Sequence, residues 1–338
     1  MRRFLVLYRI SSNGQDWTTV LFSASSKISR ARKRGPTVIF GHFGSRESEW
    51  SDRDRFTLLA ALAASPVEGG LDAAIESISL YCHRENSGSE PFRLDVLRWL
   101  ARQDWSTYTD RHNSTTLASV ADAFMEPGVP NDLAAELADA VDPVLYAGPE
   151  DYIRHDDPRP VLLRCLFAHA SEFALNRFAT EEVIGDDRRT RHLFSGRYGK
   201  RGDGALSGVP PETLVAWCQD SPELRFPFAG LYAPCVNEYG PGREATGFSD
   251  HAVALVANAP NPNPIIAALA ECLPPSGWSG SRATIIETRM TWLDVLQPEG
   301  REDIAAAIEQ AREQLSVYVV REREHEERRN RGRDETFE

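Results

Sequence analysis

The sequence predicts an all-α protein of stacked antiparallel helical hairpins, with a short β-prone or disordered N-terminal segment in front. Three observations predict it. Apolar, helix-like runs are followed four times by Pro-Glu, at Pro149-Glu150, Pro211-Glu212, Pro222-Glu223 and Pro298-Glu299. Proline has no N–H to leave unpaired at a helix start, and its fixed φ suits the first turn. A carboxylate beside it meets the positive end of the helix dipole. Second, apolar residues recur at helical spacing from Ser51 onward. Third, three of the helical runs carry a tryptophan in their C-terminal half: Trp99, Trp217 and Trp292.

Residues 1–48 stand apart. They hold β-prone runs (Phe4 to Ile10, Trp17 to Phe22, Thr37 to Phe43) separated by Ser, Gly and basic residues, so short strands and a disordered leader are both open. Residues 49–184 read as a first helical array. Ser51 is a fitting N-cap for Phe56, Leu58, Leu59 and Leu62, and Leu71, Ile75, Ile78 and Cys82 form one apolar stripe at i, i+4, i+7 and i+11. Pro91 opens a helix with Leu94, Leu97 and Leu100 on one face; residues 115–126 and 130–141 read as two more. Pro160 to Phe178 is apolar on most faces, which predicts a central, buried helix.

The Gly-rich polar stretch 185–209 reads as a domain boundary or long exposed loop. Residues 210–320 are the most regular: helices over Pro211 to Gln219, Pro222 to Tyr232, Phe248 to Ala259, from Pro262 or Pro264 to Leu273, and Thr284 to Leu296. A last one follows, with Ile304, Ile308, Ala311, Leu315 and Tyr318 inward. From Arg321 the apolar positions vanish, and residues 321–338 read as a solvated, fraying charged tail.

Composition bounds the function classes. The chain has 338 residues, 41% hydrophobic and 26% charged, with a net charge of −12. Residues 1–36 hold eight basic side chains against one acid, Asp16, so that segment is +7 and the rest carries −19. An acidic body argues against broad nucleic-acid affinity. Lysine occurs only at positions 27, 33 and 200, leaving 35 of the 38 basic residues as arginine, a skew that reads as genome composition. The five cysteines are scattered and never form CxxC, which fits a reducing cytoplasm and not a disulfide framework. The apolar run after Arg2-Arg3 is about five residues, short of the roughly 7–15 of a secretory core. No stretch approaches the roughly 18 uncharged apolar residues of a membrane span.

Searching for chemistry yields little. The segment Gly196 to Gly204 departs from a phosphate-binding loop, because Lys200 is followed by Arg201 where a hydroxyl should reach magnesium. His155, Asp156 and His169 can be nominated as a metal-dependent hydrolase site, although Asp156 or Asp157 serves more naturally as the N-cap of the helix near Pro160. His169 lies one turn from Cys165, which raises a cysteine–histidine nucleophile, yet no third orienting residue is identifiable. Lys27, Arg30, Arg32, Lys33 and Arg34, with Trp17 and Phe22 nearby, are the nucleic-acid candidate. A solvated basic leader without a partner is the simpler reading. No cofactor is expected.

Pro262-Asn263-Pro264, the turn Pro275-Ser276-Gly277-Trp278-Ser279-Gly280-Ser281 and the Arg/Glu-rich terminal helix give Pro211 to Tyr318 a resemblance to HEAT-type helical arrays. Such arrays occur in bacterial multidomain proteins, several of them in defence systems. The resemblance implies an α-solenoid with a binding surface rather than a reaction. The expectation is a non-catalytic, cytoplasmic protein–protein interaction scaffold. Nucleic-acid binding through residues 27–34 is the alternative, and a metal-dependent hydrolase the second.

Overall fold

The computed structural model describes residues 89–103, 114–126, 128–145, 159–194, 204–237, 245–275, 277–297 and 300–337, the segments 5–10 and 17–22, and ten single positions between 53 and 79. Strands β1 (Leu5–Ile10) and β2 (Trp17–Phe22) pair antiparallel, Leu5 opposite Phe22 and Ile10 opposite Trp17, on two of the β-prone runs. Among the described residues beyond 50, every regular element is a helix. None of these is long and apolar enough to cross a membrane. The chain falls into two compact units, Met1–Ala170 and Ser171–Glu338.

In the first unit, Leu59, Ala74, Ile75 and Ile78 are buried helical positions, two of them on the stripe that the spacing predicts. Helix α1 (Glu90–Ala101) starts at Ser89, whose hydroxyl accepts the Phe92 amide at 3.4 Å. Helices α2 (Ser114–Met125), α3 (Asn131–Leu145) and α4 (Arg159–His169) follow. α1 packs on α2 and α3, and α4 packs on the same two. Phe92 meets Phe124 edge-on at 6.2 Å between ring centres. As its composition predicts, α4 is buried on most sides, at Val161, Leu162, Leu163, Cys165, Leu166 and Phe167.

The single helix expected over Pro160 to Phe178 is two. α4 ends at His169 and α5 (Ser171–Phe178) begins the second unit, with Ser171 and Glu172 supplying start signals in its first turn. Next come α6 (Glu181–Gly185) and α7 (Asp187–Phe194), so part of the Gly-rich polar stretch is helical, with Leu193 and Phe194 buried. A 3-10 turn (Ala205–Gly208) leads to α8 (Pro211–Gln219) and α9 (Pro222–Tyr232). Both begin with proline and carry Glu212 or Glu223 in the first turn; the other two Pro-Glu pairs lie outside the described residues. α10 (Asp250–Asn258), α11 (Asn263–Ala270), α12 (Arg282–Met290), a second 3-10 turn (Thr291–Leu296) and α13 (Glu302–Phe337) complete the unit.

α8 packs on α5, α9 and α10; α9 on α6, α10 and α11; α11 on α10 and α13; α12 on α13. An aromatic cluster sits where α7, α8 and α9 meet. Phe228 lies 4.9 Å from Phe194, 5.3 Å from Tyr232 and 6.0 Å from Trp217. Three expectations change here. The run Thr284 to Leu296 tightens at Thr291, whose hydroxyl donates to the Thr288 carbonyl at 2.7 Å, so Trp292 sits on a 3-10 turn and is half-buried against Phe248. On α13 the buried stripe continues from Leu315 to Val319, one helical turn on, leaving Tyr318 37% exposed. The charged run from Arg321, expected to fray, extends α13 without a break to Phe337.

Arginines close the carbonyl ends of these short helices. The last four carbonyls of any helix lack an intrahelical partner, and a cation there meets the negative end of the dipole. Arg93 on α1 donates to the carbonyls of Phe124 (3.1 Å) and Glu126 (2.6 Å) at the end of α2. Arg225 on α9 donates to the Trp217 carbonyl at 2.7 Å while lying 4.5 Å over the Trp217 ring. Arg289 on α12 reaches the Leu273 carbonyl beyond α11 at 3.0 Å. Arg301, just before α13, holds the Ala257 and Ala259 carbonyls at the end of α10. It also chelates Asp303 at 2.7–2.8 Å, and that hydrogen bonding keeps the Asp303 carboxyl down at about 2.

Arg225→Met keeps the aliphatic stem and removes the guanidinium. It is expected to cost about 1.5–3 kcal/mol, the range for hydrogen bonds to charged groups; an unchanged denaturation midpoint would show that the fork contributes nothing. α9 and α11 approach closely at Gly230, where an added Cβ would stand 3.0 Å from the Ile265 side chain and 3.2 Å from its Cα. Gly230→Ala gains about 1 kcal/mol of helix propensity against about 1–3 kcal/mol of overpacking. The expected result is a lower melting temperature, and a rise would mean that the two helices separate freely.

Candidate functional site

The surface with the most built geometry lies where α12 meets α13. Ser281 is the N-cap of α12, and its hydroxyl accepts the Thr284 amide at 3.1 Å. The two amides before that are taken by a carboxylate from far along the chain. Glu326 Oε1 accepts from the backbone N–H of Arg282 at 2.6 Å and of Ala283 at 3.3 Å, and its Oε2 accepts the Ser281 hydroxyl at 2.8 Å. One carboxylate and one hydroxyl thus close the amide end of α12, with the anion where the dipole favours it.

Two further pairs extend the clasp. Arg323 Nη2 lies 2.6 and 2.5 Å from the two Glu287 oxygens, and Arg282 Nη1 lies 3.6 Å from Glu322. From the Arg282–Glu326 contact to the Asp294–Arg312 ion pair just past α12, position falls along α13 as it rises along the preceding chain, so the two run antiparallel. The Arg282 guanidinium stands 4.5 Å from the Trp278 ring centre and 5.6 Å from that of Tyr318. Trp278 is 42% exposed. A half-buried cation therefore lies against two partly exposed aromatics, on a frame fixed by Glu322 and Glu326. Burial works against the charge of Glu326. The hydrogen bonds from Ser281, Ala283 and Arg282, with Arg329 nearby, outweigh it and hold the carboxyl below the usual glutamate range.

In the first unit, His169 Nε2 lies 2.6 Å from Asp122 Oδ1, joining α4 to α2. Asp122 is the orienting residue absent from sequence reasoning; it lies 47 residues away, and no local pattern marks it. Cys165 nevertheless makes a poor nucleophile. Burial first, and Asp122 second, push its thiol up to about 12, only partly offset by Arg164, so it stays protonated at neutral pH. His155 and Asp156 lie outside the described residues, as do Lys27, Arg30, Arg32, Lys33 and Arg34. Among the described residues, no three His, Cys, Asp or Glu side chains converge as metal ligands. Trp278 and Tyr318, the aromatics of the surface cluster, carry no sequence signal of exposure beyond the Gly-rich turn around Trp278.

Glu326→Gln should destabilise at neutral pH by about 1 kcal/mol, as for loss of a helix cap, or about 2–4 °C in melting temperature. Because the folded-state carboxyl titrates below its ordinary value, its contribution is complete above pH 4.5 and fades as pH falls further. Melting curves of the two proteins should converge in acid; a constant gap would remove the carboxylate charge from the explanation. No known protein family, no curated protein and no solved structure matches this chain.

Proposed function

We propose that the protein is a non-catalytic scaffold that holds a protein partner in a bacterial cytoplasmic complex. The observation that carries this reading is the pair of exposed aromatics, Trp278 and Tyr318, gathered around the half-buried Arg282 guanidinium. Tryptophan, tyrosine and arginine are the side chains that most often dominate protein–protein binding energy, and the clasp of Ser281, Glu322 and Glu326 holds them ready before any partner arrives. The packing of α8 on α10, α9 on α11 and α11 on α13 supports stacked hairpins of the HEAT-like α-solenoid kind, in which neighbours and next neighbours touch. The four described cysteines, Cys165, Cys218, Cys235 and Cys272, are thiols and not disulfides, which agrees with a reducing compartment. The acidic body favours a partner with a basic face.

The test compares wild type with Trp278→Ala/Tyr318→Ala in affinity purification from the native host at low salt, read by mass spectrometry and by the 260/280 nm absorbance ratio. The expected result is one stoichiometric protein, retained at least tenfold less by the variant, with the melting temperature of the bait little changed. A nuclease-sensitive 260 nm signal without a protein partner would instead turn attention to the basic residues 27–34. A partner held equally by both baits would move the contact surface elsewhere.

A further inference from the structure

α13 is far longer than anything it packs against. Its 36 residues span about 54 Å at 1.5 Å per residue, against about 14 Å for the nine of α12. Among the side chains of α13 described, up to Arg331, the buried ones stop at Val319, Glu322, Arg323 and Glu326 make the contacts to α12 that lie furthest along the helix, and Glu327 through Arg331 are all exposed. The face turned away from the unit carries one stripe at helical spacing: Val317, Val320, Glu324, Glu327, Arg328 and Arg331, every one exposed. Val317 and Val320 are 53% and 56% exposed.

The charges on that stripe are ordered. The glutamates come first and the arginines follow, and the surrounding sequence amplifies the order. Residues 322–327 hold four glutamates and one arginine, and residues 328–333 hold four arginines and no acid. A parallel copy would set glutamate on glutamate and arginine on arginine. An antiparallel copy does the reverse. With Glu327 opposite Arg328 of the second chain, Glu324 falls opposite Arg331, and two-fold symmetry makes each pair twice. The same register sets Arg321 against Asp334 in sequence. The helix dipoles also oppose favourably in that arrangement.

We infer that the outward face of α13 binds the same face of a second copy of this chain, antiparallel, through the pairs Glu324–Arg331 and Glu327–Arg328. The self-complementary charge order selects a second copy over a foreign partner, since each half of the stripe is the other's complement. None of the four residues takes part in the α12 clasp, so self-association leaves the Trp278 cluster as it is and stands independently of the proposed scaffold role. Association of this kind is driven by exposed ion pairs and weakens with salt.

Sedimentation velocity of the full-length chain tests it with three proteins. Wild type should dimerise at low salt, with the dissociation constant rising at least tenfold in high salt. Glu324→Arg/Glu327→Arg and Arg328→Glu/Arg331→Glu should each be monomeric, because each now presents like charges to itself. Mixed in equal amounts, the two variants should dimerise again, since each charge then faces its opposite. Circular dichroism of each variant alone guards against unfolding, and the mixture is the decisive arm, because a merely helix-stabilising role for these charges cannot restore association on mixing. A monomeric wild type, dimers that survive either swap, or a mixture that stays monomeric would overturn the inference.

Discussion

Short helices leave much of their backbone unpaired, and satisfying those ends is the constraint on which this structure depends. The helices α8 to α12 run only 8 to 11 residues, yet each leaves four N–H groups and four carbonyls without an internal partner. Packing of apolar faces cannot supply those bonds. Arginines do: Arg93, Arg225 and Arg289 from neighbouring helices, and Arg301 from the residue before α13, each place a guanidinium on a carbonyl at or just past the end of another helix. Each fork therefore binds a helix and fixes its distance from its neighbour in one step. Lysine, a point charge on a flexible stem, cannot hold two carbonyls, or a carbonyl and an aromatic face, in the same planar geometry. The arginine-for-lysine skew that reads as genome composition in the sequence has a structural use here, whatever set its frequency.

The amide ends are handled differently. Ser89, Thr180, Ser249 and Ser281 accept first-turn amides locally, and a first-turn proline leaves one amide fewer to satisfy at α8 and α9. α12 also imports a carboxylate, from Glu326, and it is the helix that carries Arg282 to the two aromatics. α13 thus does three things along its length. Ile304 to Val319 close the core, Glu322 to Glu326 fasten α12, and the outward stripe stays in solvent.

Much of the helical architecture was legible in the sequence because its signals are local. Pro211 and Pro222 mark helix starts through a missing donor, and the burial of Ile75, Ile78, Ile304, Ile308 and Leu315 follows from spacing alone. What was not legible is what distance hides. A stripe can turn by one residue at its end, so the choice of Val319 over Tyr318 is made by contact with a neighbour and not by period. The break at Ala170 is marked only by Ser171 and Glu172, a short polar signal inside a run that is otherwise apolar on most faces. Asp122 beside His169, and Glu326 beneath Ser281, join residues 47 and 45 positions apart, and nothing near either residue announces the other. The charged run after Arg321 has no apolar face, so pattern reads it as solvent-borne, whereas its carboxylates have a backbone to cap.

The cap on α12 also sets an order of events during synthesis. Ser281 and Arg282 leave the ribosome well before Glu326, which lies 45 residues later than Ser281. At about 5–20 residues per second the interval is roughly 2–9 s. Throughout it α12 has its serine but not its carboxylate, and for most of it Arg282 has Trp278 but neither Tyr318 nor Glu322. α13 emerges after α12 and completes the surface, so a nascent chain stalled before residue 318 would display an aromatic and an arginine without the frame that orders them.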